Sequence, residues 1–323
     1  MIDNWISLLP EKCDWCPLNC GADRANGKRG LCGADDKLLV ARSDLHFWEE
    51  PPISGLQGGP KRGLGPGSGT VFFSNCNMKC IYCQNYKISG VSTEVIGKEV
   101  GLENLVAEML KLQAKGAMNI NFVTGSHYRS HIITAVRDAK SKGLSLPIVW
   151  NSSGYESIAS IYALSSTVDV WLPDFKYGTD DIAKLFSYNK VSNYVETTLE
   201  AIDAMLSLSG KIKFDTYQDN LRMISGIIVR HLILPGHLDN SFKALKLLYQ
   251  NFGNEIKYSI MNQYTPVMDS TLDVSKSHPE LLKNVSNEEY EEVLDYADSL
   301  GIENYYWQNG TTADESFIPD FVN

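Results

Sequence analysis

Cys76, Cys80 and Cys83 fall within eight residues, in the run Ser74-Asn75-Cys76-Asn77-Met78-Lys79-Cys80-Ile81-Tyr82-Cys83-Gln84-Asn85. The spacing C-x3-C-x2-C puts three thiolates on one short segment. An iron–sulfur cubane is normally held by four cysteines, so a segment that offers three leaves one iron without a protein ligand. A small molecule could bind that iron, and the chemistry implied is chemistry at an open metal. A structural zinc site is the plainer alternative. It fits less well, because zinc sites more often build from two separated cysteine pairs, and this one would need a distant histidine.

Four further cysteines stand nearer the start: Cys13, Cys16, Cys20 and Cys32. By count they make a full tetrahedral set. Gly21 follows Cys20 and Gly33 follows Cys32. Glycine there permits the tight turns in which backbone N–H groups point at sulfur. Arg24, Lys28 and Arg29 occupy the intervening stretch and would offset thiolate charge. Zinc, a mononuclear iron and a second 4Fe–4S cluster all suit four sulfur ligands. The expectation is a structural metal site held by all four. The seven cysteines are odd in number and clustered, which makes a poor disulfide framework and a good ligand set.

The histidines say less. His127 and His131, spaced i, i+4, could share a helix face as a metal pair, but no acidic ligand lies beside them. His127 and His231 sit near expected strand ends and are expected to line a substrate cavity. Structural hydrogen bonds are expected of His46, His237 and His278. Trp48, Trp150, Trp171 and Trp307 are expected in the core or the cavity wall.

These residues must be held by a fold, and the pattern of the chain names its class. Residues 1–50 show little periodicity, and a glycine-proline loop without regular structure is expected from 55 to 69. From residue 70 short β-rich runs recur at 70–74, 119–124, 146–151, 168–172, 225–233 and 257–261, with a possible seventh at 303–307. Helical patterns lie between them. The first carries Leu105, Met109 and Leu112 on one face, and others span 127–142, 155–164, 179–188, 193–209, 239–252 and 287–299. Strands alternating with helices predict an α/β fold of parallel βαβ units. About six such units predict a partial (β/α) barrel, with ligands at the carboxyl ends of the strands. The chain then divides into 1–69, a cysteine-rich extension and loop, and 70–323, the barrel.

Composition sets outer bounds. The net charge is −10, from 29 basic and 39 acidic residues, which disfavours non-specific binding to nucleic acid or anionic membranes. No apolar run approaches the ~18 residues of a membrane span. The first residues lack a signal-peptide pattern, so a cytoplasmic location is expected.

The cysteine loop follows the 70–74 strand directly, and it resembles the cluster loop of the radical S-adenosylmethionine superfamily, C-x3-C-x-aromatic-C, with Tyr82 in the aromatic place. The resemblance implies that Cys76, Cys80 and Cys83 hold a 4Fe–4S cluster whose fourth iron binds the amino and carboxylate groups of S-adenosylmethionine. It further implies one-electron cleavage of that cofactor to a 5′-deoxyadenosyl radical, which takes a hydrogen from a substrate. The cofactors carry that chemistry and the protein positions them.

Other strand ends extend the likeness. Thr124, Gly125 and Ser126 stand where the superfamily binds the methionine amino group, although they depart from its Gly-Gly-Glu type motif. Asn151-Ser152-Ser153-Gly154-Tyr155 is similar to an Asn-Thr-x-Gly-Tyr stretch of the activating enzymes for glycyl radical enzymes. Asp174-Phe175-Lys176 resembles the Asp-Leu-Lys motif of pyruvate formate-lyase activating enzymes, which implies cofactor contacts by Asp174 and Lys176. Two residues apart on an extended segment, those side chains would share a face. Arg230, followed by Pro235-Gly236, resembles the Arg-x4-Pro-Gly run of the same family and would aim at the cofactor carboxylate. Met261 through Pro266 stands near a Tyr-His-Pro type ending, and His46-Phe47-Trp48-Glu49-Glu50-Pro51-Pro52-Ile53-Ser54-Gly55 matches text of a pyruvate formate-lyase activating enzyme-like branch.

That branch implies a glycyl radical enzyme as protein partner and a reduced flavodoxin or ferredoxin as electron donor. Another peptide or a small metabolite as the target is the rival within the same chemistry. A metal-stabilised binding protein without turnover is the rival outside it, and Asp174, Lys176 and Arg230 argue against that reading.

Overall fold

The structure, a computed structural model, describes residues 9–55, 66–91, 95–267, 273–308 and 319–321. The cysteine block carries one short turn of 3-10 helix at Arg24–Asn26. Then come β1 (Leu39–His46), the short helix α1 (Pro51–Ser54), β2 (Ser68–Phe73), α2 (Tyr86–Ser89), β3 (Lys98–Glu99) and α3 (Leu102–Ala114). The expected alternation continues in β4 (Ile120–Val123), α4 (Arg129–Ser141), β5 (Ile148–Ser152), α5 (Ile158–Leu164), β6 (Val170–Pro173), α6 (Asp180–Phe186) and α7 (Tyr194–Ser209). Beyond these lie β7 (Lys213–Tyr217), β8 (Asn220–Leu232), α8 (Leu238–Phe252), β9 (Lys257–Met261), α9 (Asp273–Ser277) and α10 (Asn287–Leu300).

Six strands run parallel in the order β2, β4, β5, β6, β8, β9. The sheet therefore delivers six carboxyl ends to one rim. Among the described residues no pairing joins β9 back to β1 or β3, so the barrel is partial, as the alternation predicts. The reason these segments become central strands is visible in their side chains. Every residue of β5 is buried, which is what a strand covered on both faces requires. The helices present an apolar stripe to the sheet. In α8 it is Ala244, Leu245, Leu248 and Phe252. Ser286 caps α10 in a reciprocal box with Glu289, and Gly301 ends it at φ 87°. One core unites Val71, Phe73, Ile120, Phe122, Trp150 and Trp171 with Leu105, Ile132 and Leu248 from the helices.

Several expectations need correction. β1 pairs antiparallel with β2, so the sheet crosses the boundary drawn at residue 70. It escapes a reading by periodicity because all eight of its residues are half-buried, with no alternation to see. β7 and the first half of β8 form a hairpin whose turn residues, Gln218 and Asp219, both adopt positive φ (47° and 60°). A Gln-Asp pair is not the Asn-Gly signal such turns usually carry. β2 begins at Ser68, so the last residues of the expected glycine loop are strand; 56–65 lie outside the described residues. The 303–307 run contributes only a single bridge, Tyr306 to Ser259. Trp307 is 52% exposed and belongs to neither core nor cavity wall.

Ile120 is fully buried in β4, at the end of the strand away from the rim. Ile120→Ala should cost about 2–5 kcal/mol through lost burial and a residual cavity, measured by urea unfolding.

Candidate active site

The cysteine loop leaves β2 at the rim and is held there by its neighbours. Asn75 and Lys79 take left-handed backbone (φ 76° and 45°), which folds the loop back on itself. The Ile81 N–H donates to the Phe186 carbonyl at 3.0 Å, the Tyr188 N–H to Met78 at 2.7 Å, and the Asn77 side-chain amide to Tyr155 at 2.9 Å. Tyr82 packs against Tyr177, Phe186 and Tyr264 and donates to the Tyr177 hydroxyl at 2.9 Å; Tyr177 in turn reaches the Cys80 sulfur at 3.3 Å. The aromatic of the motif is thus the post that fixes Cys80. Burial pushes all three thiols up, Cys83 to about 12. The cost of three buried thiolates is what the positive core of a metal cluster would offset.

The sulfurs face a cavity of about 210 Å³ at the strand ends, also lined by Thr124, Asn151, Asp174, Lys176 and Arg230. Arg230 organises its polar wall. The guanidinium donates from Nε to Asp174 Oδ1 at 3.0 Å, from Nη1 to Glu49 Oε2 at 3.0 Å, and from Nη2 to Asn151 Oδ1. The other oxygen of Asp174 accepts from Lys176. The other oxygen of Glu49 accepts from Asn151 at 3.1 Å and Asn121 at 3.0 Å. Burial would raise Asp174, but the Lys176 ammonium and the Arg230 guanidinium outweigh it and hold the carboxyl below its usual range. Glu49 is raised, because burial there outweighs the pull of Arg230. The pull of Asp174 and the glutamates outweighs the burial of Arg230, which stays firmly protonated.

The structure therefore brings Thr124, Asn151, Asp174, Lys176 and Arg230 together with the loop cysteines. Asp174 and Lys176 do share a face. Gly125 and Ser126 are not brought to the cavity. Gly125 is wedged against Ile132 and Trp150, and the Ser126 hydroxyl is spent on the buried carboxyl of Glu156. His127 and His231 do not line it either. The His127 Nε2–H donates to the Ser74 carbonyl at 2.8 Å. The His231 Nδ1–H donates to Phe175 at 2.8 Å, and its Nε2 accepts from Ser241 at 2.9 Å. Glu49 is the residue that sequence reasoning missed. It lies in the His46–Gly55 run that resembles the activating enzyme-like branch, but nothing in that run assigns it a role. His237 and His278 both bond Glu280 Oε1 at 3.0 Å.

None of the cysteines of the N-terminal block lines the cavity, and the block meets the loop where Gly33 abuts Asn75. The Gly21 N–H donates to the Cys13 carbonyl at 2.9 Å and the Cys13 N–H to the Ala22 carbonyl at 3.0 Å, so the Gly21 N–H serves a backbone turn and not the sulfur expected of it. Arg24 is fully buried, as a side chain between elements rather than a solvated charge.

The family model described as the Radical SAM superfamily matches residues 70–249, more than half of the chain. The chain belongs to the radical SAM superfamily. That membership implies a 4Fe–4S cluster and S-adenosylmethionine; the three loop sulfurs have the donor chemistry for the cluster, and Asp174, Lys176 and Asn151 on the same cavity have the polar groups for the cofactor. An uncharacterised protein of Methanocaldococcus jannaschii is 28% identical over 302 residues, covering 92% of this chain and 77% of its own. Among solved structures, Streptococcus suis SuiB bound to S-adenosylmethionine superposes with a TM-score of 0.46 at 8% identity, over 73% of this chain and 48% of that one. The FeFe-hydrogenase maturase HydG of Carboxydothermus hydrogenoformans gives 0.47 at 13% identity, over 70% and 48%. Methylornithine synthase (PylB) gives 0.48 at 13% identity, over 71% and 62%. The chain spans about half the length of SuiB and HydG. No helix among the described residues is long and apolar enough to cross a membrane.

Arg230→Met strands Glu49 and Asp174, so it should destabilise the fold by about 3–5 kcal/mol in denaturant titrations, and adding Glu49→Gln should recover part of that loss. Burial lowers His127 to about 3 and His231 to about 4. These are bases whose folded values lie below the unfolded ~6.5, so the stability they reflect is complete above that pH. It is lost as pH falls toward the folded values, at about 1.4 kcal/mol per pH unit per proton. Unfolding free energies should fall between pH 6.5 and 4, with a shallower slope in His231→Asn.

Proposed function

We propose that this chain binds S-adenosylmethionine against a cluster on Cys76, Cys80 and Cys83 and takes a hydrogen from a glycine of a partner glycyl radical enzyme. The observation that carries the reading is one cavity lined both by the three loop cysteines and by the buried Arg230 and Asp174 with the half-buried Lys176. A cluster held by Cys76, Cys80 and Cys83 and a cofactor held by Asp174 and Lys176 would supply one-electron radical chemistry for hydrogen abstraction.

The protein's share is binding and exclusion. A carboxylate has about four acceptor positions, and Asp174 uses two on Lys176 and Arg230, leaving acceptors for ribose hydroxyls. Lys176 retains N–H donors for the amino-acid carboxylate. Arg230 holds Asp174 and Asn151 in place from behind. Met78, Val123, Leu232 and Met261 supply apolar wall that keeps water from a reactive centre. Gln84, Asn85, Gln263 and Thr265 on the lining offer amides and a hydroxyl suited to an extended backbone. A reduced flavodoxin or ferredoxin would supply the electron.

Anaerobic reconstitution with iron, sulfide, dithionite and S-adenosylmethionine should yield 5′-deoxyadenosine, and Cys80→Ala should abolish it. A chain with its cluster intact that makes none would refute the catalytic reading. Lys176→Met should weaken cofactor binding by about tenfold or more in calorimetry. Deuterium placed on the glycine of a candidate partner should appear in 5′-deoxyadenosine; transfer from an added metabolite instead would replace the partner protein as substrate.

A further inference from the structure

We propose that His237, His278 and Glu280 form a binding site for a divalent transition-metal ion of the zinc class, apart from the cysteines and from the cavity that the cluster loop lines.

Among the described residues, these three side chains bring their ligand atoms within 4.8 Å of one another. His237 Nε2 and His278 Nδ1 each stand 3.0 Å from Glu280, and both meet the same oxygen, Oε1. A zinc ion bound tetrahedrally at about 2.0–2.2 Å spaces its nitrogen and oxygen ligands about 3.4 Å apart. Each imidazole therefore has to part from that oxygen by only about 0.4 Å to admit an ion. Two imidazoles and one carboxylate are a donor set suited to zinc, whereas calcium and magnesium prefer oxygen ligands. On loading, each ring moves its proton to its other nitrogen, Nδ1 of His237 and Nε2 of His278, and stays neutral.

The fold holds the three donors in place before any ion arrives. His237 follows the Pro235-Gly236 turn and directly precedes α8, while His278 and Glu280 flank Pro279, the first residue of a 3-10 turn at Pro279–Leu282. Gly236 has a φ of 74°, and a Cβ on it would lie 3.1 Å from Cβ and 3.2 Å from Cγ of Glu280. That close approach is what brings Glu280 to His237. Leu281 is fully buried, and its carbonyl accepts from the Tyr264 hydroxyl at 2.6 Å, which anchors the turn next to its donors. The fully buried Phe186 ring stands at 80° to the His237 ring and 83° to the His278 ring, with centroids 4.9 and 5.1 Å away. One aromatic side chain thus orients both imidazoles.

The outer side is open. The imidazoles are 19% exposed and the Glu280 side chain 30%, so three protein ligands leave a fourth position to water. An ion here would join the start of α8 to the 3-10 turn. Phe186 also packs on Tyr82, and Tyr264 lines the cavity, so the joint would brace the rim beside the cluster loop. The alternative is a triad without an ion, in which two N–H groups share one oxygen.

The test uses the full chain, its cysteines loaded anaerobically with iron and sulfide, and zinc chloride as the probe. After loose metal is removed, titrated zinc should fill one more site in the wild type than in His237→Ala/His278→Ala, displacing any ferrous iron from these donors. X-ray absorption by the added zinc should show nitrogen and oxygen at about 2.0–2.2 Å and no sulfur at about 2.3 Å. Saturating zinc should raise the melting temperature of the wild type and leave that of the double variant unmoved. Equal zinc in the two proteins, or added zinc with sulfur ligands alone, overturns the site. If the double variant fails to fold, Glu280→Gln decides, since it keeps an oxygen for both imidazoles and removes the charge. Zinc binding weaker by about tenfold or more in that variant supports the site, and unchanged binding overturns it.

Discussion

A single buried guanidinium holds the rim together. Arg230 lies near the end of β8 and gathers Glu49 from the segment after β1, Asn151 from β5 and Asp174 from the end of β6. In a low-dielectric setting none of these groups is tolerable alone. A charge of either sign left unpaired would cost more than the pair contributes, so the set behaves as a unit. Its geometry fixes where Lys176 can stand, since Lys176 shares Asp174 with Arg230. It also ties three parallel strands together at the rim, adding side-chain bonds to the backbone bridge between Asp174 and Arg230. The polar half of the cavity is therefore set by one residue's five donors in a rigid fork.

The other half is set by aromatic packing. Tyr82 and Tyr177 connect the loop to the segment that carries Asp174 and Lys176, so the sulfur side and the polar side are not independent. The neutral His231 braces Phe175 between those two residues. Gly154 meets the same segment from β5, where a side chain would collide with the Asp174 carbonyl. Its φ of +75° suits glycine, and its absence of Cβ is what lets the two strand ends approach.

Much of this was legible in the residues. The parallel strands announce themselves as short apolar runs between amphipathic helices, and the cysteine spacing points to an open metal, whose chemistry the resemblance then supplies. Asp174, Lys176 and Arg230 stand at strand ends, where the resemblance to activating-enzyme motifs flags them and the two-residue spacing of Asp174 and Lys176 adds that they share a face. Three things were not legible, each for a physical reason. β1 has no buried and exposed face to alternate. Glu49 acts through a partner 181 residues away, and no local pattern encodes such a distance. Ser126 and Gly125 sit at the right strand end but point into packing, because the turn after β4 passes through the left-handed Thr124 (φ 57°) and rotates the residues beyond it. Position along the chain located that corner; only the backbone conformation says which side chain faces inward.

The span from Glu49 to Arg230 has a consequence for biosynthesis. A nascent chain emerges from its amino terminus, so all seven cysteines are available long before the strand that bears Arg230. Until then Glu49 is a carboxylate without its guanidinium, and the polar wall has no shape. Iron could meet the thiols early, but the pocket beside them can only be completed late. A ribosomal truncation would be a metal-binding fragment with no seat for the small molecule, unable to start a reaction it could not contain.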